Sequence, residues 1–151
     1  MIRYPRAVLA AALLTVALVP SSAADAATVT RGDVHAFAAG AGMELAGRAQ
    51  MVRTADGKTI VAIHVTGLAP DITYGAHVHQ QACGSGDADG HYRFDPAGPA
   101  APPNEIWPGF TTDAAGVGNG KATADGIAGP TAVSVVIHAP GGAKIACADL
   151  H

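Results

Sequence analysis

Ala55-Asp56-Gly57-Lys58-Thr59-Ile60-Val61-Ala62-Ile63-His64-Val65-Thr66 decides the fold class. Asp56-Gly57 supplies the positive φ that a tight hairpin turn needs. From Lys58 the chain alternates, with Val61, Ile63 and Val65 on one face and Ala62, His64 and Thr66 on the other. That is the period of a strand with one buried face. Met43 to Val52 reads as the strand before the turn, and Gly67-Leu68-Ala69-Pro70 ends the one after it.

The same reading extends along the chain. A β-patterned segment ends in Gly75-Ala76-His77-Val78-His79. Gln80 to Pro108, rich in Gly, Asp and Pro, reads as one long loop, and loops of that length in compact domains are usually functional. Phe110 to Asp113 and Lys121 to Asp125 read as short strands around Ala115-Gly116. Val133 to His138 is the clearest late strand, with Val133, Val135 and Ile137 on the core face and Ser134, Val136 and His138 facing outward. Pro140-Gly141-Gly142 turns the chain, and Ile145 to Leu150 closes it. Many short strands at regular spacing, with no sustained helical period, predict an all-β antiparallel sandwich or flattened barrel.

The N-terminus has a different character. Arg3 and Arg6 precede an apolar core from Ala7 to Val19, Pro20 breaks it, and Ala24-Asp25-Ala26 offers small residues for cleavage. This reads as a secretory signal peptide over residues 1–26. The apolar run is shorter than the about 20 residues a membrane helix needs. The expected product is secreted or otherwise extracytoplasmic, in a periplasm or cell envelope. Residues 27–42 then form an N-terminal segment with the first strand, and residues 43–151 the main domain. Loss of Arg3, Arg6 and Asp25 moves the net charge from -3 to -4. A mildly acidic domain without a basic cluster has no electrostatic case for nucleic acid or an anionic membrane. Two cysteines remain, Cys83 and Cys147. In an exported protein such a pair reads as a disulfide, with two buried thiols as the alternative.

His77 and His79, two apart on a strand, present imidazoles from one face with Cα atoms roughly 7 Å apart, a span one metal ion can bridge. His91, inside the long loop, and His138, on the outward face of a late strand, stand where they could complete an all-nitrogen site. Imidazoles without thiolate suit copper and also zinc. A lone strand histidine is more often a surface residue, and the H-x-H pair recurs by chance, so the pattern alone leaves convergence open. His64 reads as solvated, and His35 and His151 lie near the mature ends.

At these residues the chain resembles the copper/zinc superoxide dismutase family. Gly75-Ala76-His77-Val78-His79 looks like that family's G-x-H-x-H copper segment, and Cys83 follows where its disulfide cysteine stands. Gly90-His91-Tyr92, leading to Phe94-Asp95-Pro96, is similar to the segment with the histidine that bridges copper and zinc. Val135-Val136-Ile137-His138 matches the strand with the last copper histidine, and Gly142-Ala143-Lys144-Ile145-Ala146-Cys147 resembles the closing G-x-R-x-A-C segment. The likeness covers most of the chain from Met43 onward. It implies a Greek-key, immunoglobulin-like antiparallel barrel of about eight strands and a Cys83–Cys147 disulfide. It further implies copper on His77, His79, His91 and His138, and superoxide anion as substrate. His91 and Lys144 would be the catalytic residues: His91 takes a proton, and Lys144 draws the anion in.

Three departures stand beside the likeness. No histidine occurs between Tyr92 and Ile137, so the family's zinc site cannot be built, and the chain looks like a copper-only branch. Asn104-Glu105-Ile106-Trp107 stands near where a zinc aspartate belongs, which makes Glu105 a candidate partner for the far nitrogen of His91. A solvated Glu105 is the alternative. Only Ala139 to Ala146 separate His138 from Cys147, so the family's long charged loop is missing and the copper site should be open. Lys144 replaces an arginine and keeps the charge without the planar fork. An extracellular copper carrier of the same fold, with little turnover, is the competing functional expectation.

Overall fold

The computed structural model describes Met1 and residues 26–151. The signal-peptide reading of residues 1–26 falls almost wholly outside them. Eight strands follow in order: β1 Thr28–Ala36, β2 Ala46–Arg53, β3 Lys58–Thr66, β4 Thr73–His79, β5 Phe110–Thr111, β6 Gly118–Asp125, β7 Ser134–His138 and β8 Lys144–Asp149. Among the described residues the only helical turn is a short one at Ala38–Gly40. None of them forms a helix long and apolar enough to cross a membrane.

The β2–β3 hairpin forms where Asp56-Gly57 predicts it. Gly57 has φ +87°, and Thr54 closes the turn twice, its N–H donating to the Lys58 carbonyl at 2.8 Å and its Oγ1 accepting from Lys58 N–H at 3.0 Å. Register then pairs Arg53 with Thr59 and Gly47 with Val65. Val61, Ile63 and Val65 point into the core and His64 points to solvent, as the alternation requires.

All strand pairs are antiparallel, in the order β5-β4-β7-β8-β1-β2-β3-β6. β3 lies far from β4, and β6 far from β7, so both connections cross between sheet edges as Greek-key connections do. The sheet curls until β5 meets β6. Gly118 and Gly120 allow that closure: a Cβ on the first would collide with the Phe110 ring, and on the second with the Pro108 carbonyl. The result is a nearly closed eight-stranded barrel, as the spacing of short strands predicts. β1 is built into it, hydrogen-bonded to β2 on one side and β8 on the other. Inside sit Met51, Val61, Val65, Val78, Val135 and Ile137.

One expectation needs correction. The face of β7 bearing Ser134, Val136 and His138 is not outward, for all five residues of that strand are buried. The long loop covers it. Cys83 bonds to Cys147 of β8, and these cysteines with Ala88 and Val136 form a second, smaller apolar cluster. Ser134 Oγ donates to the Gln81 carbonyl at 2.7 Å, and Cys83 N–H donates to Asp149 Oδ1 at 2.8 Å. The remainder of the loop runs along β4, where Tyr92 N–H donates to the Val78 carbonyl at 2.8 Å and Val78 N–H to the Ile106 carbonyl at 3.0 Å. The loop is thereby a second layer over β4 and β7.

Candidate metal centre

β4 delivers His77 and His79 to the outer face of the sheet. Register brings His138 beside them, because Gly75 pairs with His138 and His77 with Val136. The loop delivers His91 through a backbone bridge between His79 and His91. The four histidines converge: one ring nitrogen from each lies within 4.8 Å of all the others. The closest rings, His77 and His91, are 4.2 Å apart at their centroids.

Hydrogen-bond partners assign the free nitrogens. His79 Nδ1 donates to the Asp89 carbonyl at 3.0 Å, and His138 Nδ1 donates to the Gly142 carbonyl at 3.1 Å. His91 Nδ1 donates to Glu105 Oε2 at 2.7 Å. A carbonyl or carboxylate partner fixes the proton on Nδ1, which leaves Nε2 of His79, His91 and His138 with a lone pair. His79 Nε2 and His138 Nε2 stand 3.4 Å apart. Two unprotonated nitrogens at that distance repel unless something positive sits between them. His77 differs, because its Nδ1 is buried with no hydrogen-bond partner among the described residues. An orphaned buried nitrogen costs about 1–3 kcal/mol. A metal ion would remove that cost and the repulsion together.

The electrostatics suit a cation that needs neutral ligands. Burial, followed by the nearby His91 and His138, pushes the pKa values of His77 and His79 down to about 3. Burial lowers that of His138 too, against the opposing pull of the Gly142 carbonyl. All three rings are neutral at pH 7, and Lys144 acts in the same direction on His79 and His138.

Glu105 is not solvated. Its side chain is 2% exposed, and Oε2 accepts Trp107 Nε1–H at 2.7 Å as well as His91 Nδ1–H. Arg93 Nε lies 3.9 Å from Oε1 and supplies the compensating charge. Lys144 stands near the cluster with its ammonium engaged, donating to the carbonyls of Asp87 and Asp89 at 2.7 Å each. Those carbonyls converge because Gly86, Asp87, Ala88 and Asp89 all take left-handed φ values, between +48° and +63°. Three non-glycine residues in that region cost roughly 1–2 kcal/mol apiece, which the clamp by Lys144 and His79 offsets.

His64 is exposed and bonded to Asn119 at 2.9 Å, away from the cluster, and His151 is exposed at the end of the chain. His35 approaches Cys83 and Asp149, but the Cys83 sulfur is committed to the disulfide. Arg93 and Trp107 were not anticipated as site residues. The signal for Trp107 was present in the spacing, since residues two apart on an extended chain share a side and Glu105 and Trp107 are so placed. Comparison of the chain with protein-family models and with curated proteins finds no match. What the geometry establishes is a cluster of four histidines able to hold a metal ion.

Proposed function

We propose that the chain is an exported copper-only superoxide dismutase, a member of the family its motifs resemble. The observation that carries the reading is the donor set: four imidazoles whose hydrogen bonds leave three Nε2 and one Nδ1 to face a metal, with no thiolate or carboxylate among the donors. Such a set favours copper, which binds nitrogen sites most tightly among the divalent first-row metals. The disulfide is compatible with an extracytoplasmic setting. Zinc is left out of the proposal because Glu105 holds the nitrogen of His91 that would face a second metal.

Copper bound there would supply the electron exchange, accepting an electron from one superoxide and returning it to a second, so that two superoxide anions and two protons give oxygen and hydrogen peroxide. The protein's own work is protonic and geometric. Glu105 keeps the Nδ1 proton of His91 in place, so Nε2 alone is left either to hold the metal or, in the metal's place, to take up a proton and pass it to the reduced oxygen. His91 is 29% exposed at its side chain, which gives that proton a path to solvent. Lys144 adds positive charge near the cluster, which favours approach of an anion to a net acidic protein.

The carrier reading has one observation in its favour, the engagement of Lys144 by two carbonyls. Copper reconstitution followed by pulse radiolysis separates the two. The dismutase takes a single copper and negligible zinc, its superoxide decay accelerates in proportion to protein, and His138→Ala loses both binding and acceleration. Tight copper binding without accelerated decay would establish the carrier, and stoichiometric zinc held through His91 would refute the copper-only assignment.

A further inference from the structure

We propose that Trp107 is a positioning residue that sets the orientation of the Glu105 carboxylate and, through it, the tautomer of His91. The proposal rests on the reading of His91 as a metal ligand. A carboxylate on a flexible side chain can rotate, and its oxygens are equivalent until partners distinguish them. Here both partners choose the same oxygen: Trp107 Nε1–H and His91 Nδ1–H each reach Oε2 at 2.7 Å. Arg93 stands beside the other oxygen. The carboxylate is therefore held from two sides, and His91 meets an acceptor already aimed at it.

Burial does not explain the position of Trp107, since the residue is 40% exposed. Its contacts do. The ring centroid lies 5.1 Å from that of His77 while the N–H serves the support of His91, so one side chain braces two members of the cluster from its open side. Such outer partners fix ring orientation at metal sites.

The test uses the metal-free full chain with isotope-labelled histidine and tryptophan, read by nitrogen-detected NMR. In the parent, His91 is a single Nδ1–H tautomer, and both that proton and the indole N–H exchange slowly with water. Trp107→Phe keeps a ring against His77 and deletes the donor. The expected result is a mixture of His91 tautomers and an Nδ1 proton exchanging about tenfold faster, the equivalent of one hydrogen bond. An unchanged tautomer and rate overturn the proposal. In a Glu105→Ala background Trp107→Phe should add nothing at His91, and a further change there would mean the indole acts without the carboxylate, which also overturns it. Should Trp107→Phe fail to fold, the parent answers alone, because an indole N–H exchanging as freely as one in an unfolded peptide refutes the bond. A chain inert toward superoxide would give the same signals, so failure here and failure of the dismutase reading are distinct results.

Discussion

Replacing Glu105 with glutamine isolates the charge of one buried group from its shape. Oε2 of Glu105 accepts two N–H donors at 2.7 Å, from His91 and Trp107, and the side chain is 2% exposed. A hydrogen bond to a charged acceptor is worth ~1.5–3 kcal/mol and to a neutral one ~0.5–1.5 kcal/mol, so Glu105→Gln weakens the hold on His91 by ~1–1.5 kcal/mol. The amide adds a conflict. If its oxygen serves the two donors, its NH2 faces the Arg93 guanidinium, now 3.9 Å from Oε1, donor against donor. His91 is then less firmly presented to a metal, and copper affinity falls about tenfold, in keeping with the effect of losing an outer partner elsewhere. Competition against a chelator of known affinity measures it, with the thermal midpoint as a control for folding. A variant that folds normally and binds copper as tightly as the parent would refute the argument that Glu105 prepares His91.

Three further outcomes follow from the same geometry. The metal-free protein should lose stability below pH 6.5: the unfolded state takes up protons there that His77 and His79, with pKa values pushed down to about 3, do not. Stability therefore falls as the pH drops from 6.5 toward 3, by about 1 kcal/mol per ring at pH 5 once solvent screening is allowed, and urea midpoints at pH 7 and pH 5 that coincide would contradict it. Reducing the Cys83–Cys147 bond, which closes 64 residues of sequence separation, should destabilise the fold by up to about 4 kcal/mol and weaken metal binding in the same titration, because the loop it anchors carries His91. Lys144→Met removes two charge-assisted hydrogen bonds and should speed amide exchange around Asp87–Asp89 and lower stability by ~1–2 kcal/mol; unchanged exchange there would mean the left-handed turn needs no clamp.

What could be read in advance was local. Asp56-Gly57 and the alternation from Lys58 specify a hairpin from a dozen neighbouring residues, and the hairpin is present in that register. His77 and His79 share a face for the same local reason. The far side of β7 could not be read so, because its cover arrives from Cys83 and Ala88, some fifty residues earlier in the chain, tied down by a disulfide. The pattern of Val133 to His138 carries only a faint trace of that lid, the apolar Val136 on the face read as outward. His91 could be named as a candidate from its residue type, but Glu105 entered through resemblance alone, since their meeting depends on the course of a loop without periodicity. The engagement of Lys144 was hidden for a sharper reason: it requires Asp87, Ala88 and Asp89 to adopt a backbone conformation that residues other than glycine seldom take.

The single tryptophan of the chain also has an optical consequence. All indole emission originates at Trp107, whose ring is 5.1 Å from that of His77. Intrinsic fluorescence is therefore a built-in gauge of occupancy: a paramagnetic ion seated among the imidazoles would quench nearly the whole signal, with no second fluorophore of that kind to dilute the reading and no label to attach.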